Sequence, residues 1–350
     1  MSKKNRNIVI AVIVIIVLVL LMLYANSNSA LVRQLNGPTE GTDSVLTIGD
    51  KLFVVSKNNN IFTWQWNDLK IWPTVAKPSA TAITPFGNDE IVYNSSNSSA
   101  KLVLTNLKAN KELGSLSLPY SAECKAIKPS QNGKFGVVSV DFKEGTQKGL
   151  FKLGVFDESS KEPSFVFQKD TNAENFVLYD FAITNDGKLL AGAGEKEKAC
   201  AFVSDVNSQK ILWEKTFDKH SKFTCAEFSP DGKLLFIAEK VRHILMFDAA
   251  SGELLKTFAV DEYKSTTFQK QNVSCIDISP DGKTLVVDTE PVGNVWFWDI
   301  QTGQKISSLS VNNLTVSGIA FSPDSKFLAT GCLVSPEIKI WKVPQPENNQ

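Results

Sequence analysis

The chain has 350 residues, 43% of them apolar, with 22 Phe and 7 Trp, which is enough apolar surface for a large core and excludes wholesale disorder. Its 37 basic residues match its 37 acidic ones, but Lys3, Lys4 and Arg6 precede residue 31, so the chain beyond carries 34 basic against 37 acidic groups. Such a surface does not attract phosphate backbones, and with only Arg6, Arg33 and Arg242 as arginines it offers few bidentate phosphate contacts, so no nucleic-acid partner is expected.

Residues 1–7 form a basic stub, and residues 8–25 read IVIAVIVIIVLVLLMLYA, 18 apolar residues without a charge or a helix breaker. As a helix this run extends ~27 Å, about the thickness of a bilayer's hydrocarbon core. Basic residues lie before it and only Arg33 soon after it. The positive-inside rule therefore puts the N-terminus in the cytoplasm and the rest on the periplasmic or extracellular side of the cell membrane. A cleaved signal peptide competes, with Ser27-Asn28-Ser29 as a weak processing site, but its apolar region usually spans about 7–15 residues. Apolar length favours an uncleaved, single-pass signal-anchor, followed by a linker at 26–29.

From Ser44 onward seven units align on two landmarks. One is a first turn, reading Gly49-Asp50, Gly87-Asn88, Asn132-Gly133, Asp186-Gly187, Asp231-Gly232, Asp281-Gly282 and Asp324-Ser325. The other is the end of a third strand, at Trp66-Asn67, Thr105-Asn106, Phe156-Asp157, Ser204-Asp205, Phe247-Asp248, Trp298-Asp299 and Trp341-Lys342. The sixth unit shows the pattern most fully: Ser279-Pro280-Asp281-Gly282 suits a type I turn, Val295 to Trp298 a strand, and DIQTG at 299–303 a second turn. Four strands recurring every 40 to 50 residues or so mark a β-propeller blade. Runs such as Ile244-Leu245-Met246-Phe247 are apolar on both faces, as sheets packed between sheets require. The expectation is an all-β, seven-bladed β-propeller over residues 30–343, preceded by one transmembrane helix and followed by a polar tail at 344–350. The seventh unit ends at Trp341-Lys342-Val343 and lacks a fourth strand. Residues 30–36, ALVRQLN, are expected to supply it by pairing with 338–343, which would cover an otherwise open ladder.

The copies FSPDGKLLFIAEKVRHILMFDAASGELLKTF and ISPDGKTLVVDTEPVGNVWFWDIQTGQKISSL resemble the WD-repeat family of seven-bladed propellers. They are also similar to surface-layer propellers of the YVTN type, whose repeats read SPDGK and DTATG. The resemblance covers about residues 30–343 and is closest in the last three units. It departs from the family in two places: the Gly-His pair before the first strand is absent, leaving at most His220, and Val241 replaces the Asp expected before the third strand of the fifth unit. The family's His, Asp, Ser and Trp network therefore cannot form in most blades.

No G-x-S-x-G, P-loop, G-x-G-x-x-G before a helix, or HExxH occurs, so no catalytic residue or cofactor is expected. Cys124, Cys200, Cys225, Cys275 and Cys332 are too scattered for a disulfide framework, and with His220 and His243 as the only histidines no metal site is expected. Cys124, Cys225 and Cys275 align three residues before the apolar residue leading into the turn (Ile127, Phe228, Ile278) and read as small buried hydrophobes. The sequons at Asn94, Asn97, Asn272 and Asn313 carry meaning only if the host glycosylates.

Length varies on one face, in the loops 141–149, 169–176, 259–272, 288–293 and 332–336, while the SPDG and DxxTG turns opposite are nearly constant. Variable loops carry binding residues. Phe142, Phe176, Tyr263 and Phe268 lie on them and are candidate anchors for a protein or peptide partner; the competing reading is that each ring folds back over the strand ends. The expected function is a membrane-tethered interaction scaffold, with the short-turn face toward the membrane. The alternative is a propeller enzyme of metal-dependent hydrolase or lactonase type with carboxylates at the axial channel. Glu227 and Asp277 share one position of the innermost strand, Asp180 lies two residues off it, and Thr47, Ala82, Ala126, Ala182 and Ala320 are read as their equivalents.

Overall fold

The computed structural model describes residues 30–344, apart from 37, 39, 71–74, 77–79, 88, 96–100, 110, 120–121, 143–146, 161, 171–175, 196, 218–221, 241–242, 261–271, 291–292 and 312–314. Seven antiparallel four-stranded sheets form the blades. Six use four consecutive strands; in the fifth blade these are Phe223–Phe228, Leu234–Glu239, His243–Asp248 and Leu254–Ala259, from the axis outward. In the seventh blade Val316–Phe321, Phe327–Cys332 and Glu337–Lys342 are completed by Leu31–Asn36. That strand pairs antiparallel with Glu337–Lys342, with Leu35 opposite Ile338 and Leu31 opposite Trp341. The last blade thus contains both ends of the described chain, and its outer ladder is filled.

Burial follows from apolar residues on both faces of the middle strands. In Leu234–Glu239 and His243–Asp248 the four central residues are all buried. Neighbouring blades share the resulting clusters. Phe228, Ile237 and Phe247 of the fifth blade pack with Ala191, Val203 and Trp213 of the fourth, whereas Phe236, Ile244 and Met246 pack with Ile278, Leu285 and Trp298 of the sixth. One such cluster lies at every seam around the ring, including the closing seam between blades seven and one. Each fully buried Val, Leu, Ile or Phe contributes roughly 1.5–3 kcal/mol, so alternate sides of one strand stabilise two different seams.

The repeated turns are held by their own side chains. Ser229 Oγ donates to Asp231 Oδ1 at 2.7 Å and accepts from the Leu234 amide at 2.9 Å, while the Gly232 amide closes the turn on Ser229 O at 2.8 Å. Ser279 and Ser322 repeat this arrangement, and Thr184 and Ser130 do so in blades four and three. Gly232 and Gly282 sit at φ 72° and 70°, a region open to glycine at no steric cost; Ser325 takes the same place in blade seven at φ 61°. In the second turn Asp299 Oδ1 accepts from the amide and hydroxyl of Thr302 at 2.6 and 2.8 Å. SPDG and DIQTG therefore serve the backbone.

The predicted span at residues 8–25 lies outside the described residues. Among the described residues no helix is long and apolar enough to cross a membrane.

Candidate functional site in the axial channel

Every innermost strand carries a β-bulge near its start, at Asp43, Thr81, Lys125, Tyr179, Thr224, Ser274 and Ser317. The bulges give a common frame. Three residues beyond them stand Leu46, Thr84, Lys128, Ala182, Glu227, Asp277 and Ala320. This corrects the sequence alignment in blades one, two and three: Lys128, and not Ala126, is the counterpart of Glu227 and Asp277. In blade three Pro129, and not Ile127, leads into the turn, pairing with Gly136 as Phe228 pairs with Leu235. Cys225 and Cys275 do share a position, one past the bulge, but Cys124 lies before it and is buried in the seam with blade two. All five cysteines are free.

Around the axis lies a cavity of about 580 Å³, lined by the innermost strands of blades one and three to seven. It extends from the bulges, at Tyr179, Thr224 and Ser317, to the first turns, at Pro230, Pro280 and Pro323. The three carboxylates singled out in the sequence all reach it, and Lys128 joins them. Lys128 Nζ bonds Asp180 Oδ2 and Oδ1 at 3.0 and 3.2 Å, Ala226 O at 3.2 Å, and lies 3.5 Å from Glu227 Oε2. Asp180 Oδ2 also accepts the Ala226 amide at 2.9 Å. Asp277 accepts the Ile278 amide at 2.8 Å and, from the next blade, the Phe321 amide at 3.0 Å.

Burial and charge set the protonation of this cluster. Burial alone would push Lys128 toward its neutral form, but Asp180 and Glu227 outweigh it, and its pKa lies above the ordinary value. Burial raises Glu227, with Lys128 opposing. Asp277 is pushed up to about 7, first by burial and then by the charge of Glu227. The Cys225 thiol is pushed up to about 12 by burial and by Asp180, and so stays protonated near neutral pH.

At the short-turn end polar side chains tie the blades together. Gln131 Nε2 of blade three donates to Ile278 O of blade six at 3.1 Å. Asn132 bonds Asn185 through its amide and side chain at 2.8 and 2.9 Å, and Asn185 Nδ2 donates to Pro230 O at 3.0 Å. For the enzyme reading the decisive feature is Lys128: an ammonium already stands where Asp180 and Glu227 could receive a cation. No group of three or more His, Cys, Asp or Glu among the described residues could hold a metal ion.

Of the four loop aromatics, Phe142 and Phe176 lie among the described residues. Phe142 is 3% and Phe176 5% exposed. Phe142 packs with Cys124 and Val140 in the seam of blades two and three, and Phe176 lies against Phe151 and Phe167 in the next seam. Both rings cap strand ends because folding back removes a large apolar surface from water, so neither stands out as an anchor. Tyr263 and Phe268 lie outside the described residues. What the long-loop face does expose is Val334 (66%), Val177 (52%) and Tyr179 (42%). Val177 and Tyr179 begin the innermost strand of blade four and Val334 sits between the second and third strands of blade seven.

Residues 303–342 match the family model described as WD domain, G-beta repeat. The chain is 30% identical over 118 residues to Protein HIR1 of Candida albicans, covering 31% of this chain and 13% of that protein. It is 30% identical over 122 residues to WD repeat domain-containing protein 83 of Rattus norvegicus, covering 35% and 36%. To the uncharacterized WD repeat-containing protein sll1491 of Synechocystis sp. it is 28% identical over 119 residues, covering 34% and 31%. The chain thus spans at most 36% of the length of these relatives. The fold is a seven-bladed β-propeller, and the repeat at residues 303–342 is similar to the WD domain.

One link of the WD-type network persists in the repeat that matches: the Trp341 indole donates to Thr330 Oγ1 at 2.9 Å inside blade seven.

Proposed function

We propose that this propeller is a non-enzymatic scaffold, tethered to the cell membrane by residues 8–25 and binding a protein or peptide partner through its long-loop face on the periplasmic or extracellular side. WD-repeat propellers as a class bind protein partners, and the repeat at residues 303–342 is similar to that type. The observation that carries the choice of face is an asymmetry. The short turns are committed to their own backbones and the channel mouth beside them is bridged by Gln131, Asn132 and Asn185, whereas Val177, Tyr179 and Val334 stand exposed at the other end. Apolar and aromatic groups rimmed by polar surface are what interface centres use. The tether rests on the 18-residue apolar run and its flanking charges.

The test is affinity capture of partners from detergent extract with the full chain and with Val177→Asp/Val334→Asp. Loss of a captured protein with an unchanged melting temperature supports the long-loop face. Retention there, with loss on substituting Asn132 and Asp281 of the short-turn face, refutes it. The tether is tested separately: carbonate-resistant membrane pelleting should vanish when residues 8–25 are removed.

A further inference from the structure

The outer strands carry bulges of their own, and these share one level. In blades two, four, five, six and seven the outer strands are Lys111–Ser117, Lys210–Thr216, Leu254–Ala259, Lys305–Ser310 and Leu31–Asn36. In each the register slips once beside the end of the third strand, which is the short-turn end of the blade. The extra residues are Leu113, Leu212, Leu255, Ile306 and Val32, all of them apolar. Ile306 is half-buried against the seam to blade seven, whereas Val32, Leu113, Leu212 and Leu255 are 45–53% exposed. Ile211 and Leu254, next to two of them, are 44% and 48% exposed, so the neighbouring blades four and five each present an apolar pair. Further along the same strands the exposed positions are polar, as at Gln34, Ser115, Glu214, Thr257 and Ser308. A bulge blunts an outer edge by itself, and a charged residue in it would guard that edge better than Leu or Val. Edge protection therefore accounts for the bulges and not for the apolar band they form.

The occupant of this band follows from where the chain enters the propeller. Ala30 O accepts the Lys342 amide at 2.8 Å, which fixes the start of the closing strand at the same short-turn level, and Val32 of the band follows two residues later. Residues 26–29 span at most about 14 Å when fully extended, so the apolar run at 8–25 ends within that reach of the band. We propose, resting on the tether reading above, that the band is a seat on the bilayer surface. Val32, Leu113, Ile211, Leu212, Leu254 and Leu255 dip into the boundary between headgroups and acyl chains, which is where exposed apolar side chains beside a membrane are most stable. Their places in blades seven, two, four and five surround the axis. A tether at blade seven alone leaves the disc free to tilt, whereas contacts on the far side of the axis hold it flat, with the long-loop face in solution. Charge at this level is mixed, Lys111 and Lys210 being exposed beside Glu112 and Glu253. The attraction is therefore apolar and does not require anionic lipid, and the lysine stems can run along the surface with their ammonium groups among the headgroups.

The test uses the full-length chain reconstituted in phosphatidylcholine vesicles that contain a diazirine phosphatidylcholine with its reactive group near the acyl carbonyl. Labelled peptides are mapped by mass spectrometry after illumination, with carbonate extraction in parallel. Peptides covering 111–114, 210–213 and 253–256 should be labelled several-fold more than those covering 177–179 and 332–336. Leu212→Glu/Leu255→Glu should lower labelling in blades four and five several-fold, with labelling of 8–25 and the melting temperature unchanged. Carbonate resistance without labelling of the outer strands refutes the seat and leaves the tether standing. Labelling of the outer strands in a chain that carbonate releases supports the seat and refutes the tether. Equal labelling of both ends of the propeller, or labelling unchanged in the double variant, overturns the proposal.

Discussion

Lys128 of blade three holds both carboxylate oxygens of Asp180 in blade four, at 3.0 and 3.2 Å, and reaches the Ala226 carbonyl of blade five beyond it. One ammonium thus joins three blades at the axis. Its removal leaves Asp180 and Glu227 facing each other without a cation. Lys128→Met is expected to destabilise by about 2–3 kcal/mol, less than the 3–5 of a fully buried pair because channel water screens the charges. Denaturant unfolding measures it; a change under about 0.5 kcal/mol would show the pair to be energetically idle.

Closure is the second point of leverage. Leu35 is 4% exposed and packs with Ile338 and Ile340 of its own blade and Val45 and Trp64 of the first. Leu35→Ala should cost about 2–4 kcal/mol, and a chain beginning at Asp43, without the closing strand, should fail to fold cooperatively. A soluble chain of that length with the full-length melting temperature would contradict the closure argument.

The Trp341–Thr330 bond is buried at both ends, at 2% and 1% exposure. Thr330→Val strands the indole N–H and should cost about 1–3 kcal/mol. Trp341→Phe combined with Thr330→Val should cost less than the sum of the single changes, because the second removes a group the first has already orphaned. Strict additivity in such a cycle argues against coupling.

Acid sensitivity should arise in the turns. Asp231, though opposed by burial, is lowered by hydrogen bonds from Ser229 and Lys233, and Asp186 and Asp324 are lowered likewise. A lowered carboxyl stabilises the fold above its unfolded pKa, and this is lost as pH falls through the folded pKa. Melting temperature should therefore drop below about pH 4, and Asp231→Asn should flatten that limb. Asp277 acts with the opposite sign, toward pH 7. Acid limbs of equal slope in variant and wild type would count against the turn carboxylates.

Much of the architecture was legible because it repeats. SPDG at 229–232 and 279–282 recurs at blade spacing, as do the second turns DAASG at 248–252 and DIQTG at 299–303, and strands apolar on both faces announce two packing partners. The register failed where the repeat is weakest. In blade three Pro129 replaces the apolar residue that precedes the turn elsewhere, so Lys128 was hidden by its neighbour Ile127, and only the bulge shared by all blades restores the alignment. For Phe142 and Phe176 the sequence left two readings open, an outward anchor or a ring folded back over the strand ends, and only the structure shows that these two rings turn inward.

By itself, then, the sequence determined the blade count, the strand order within a blade and the structural role of the turns, since these depend on periodicity and on turn chemistry local to a few residues. Tertiary structure alone decided that Lys128, Asp180, Glu227 and Asp277 share one cavity. They come from four blades, and what they do to one another's charge depends on distances across the axis and on burial, neither of which is carried by spacing along the chain.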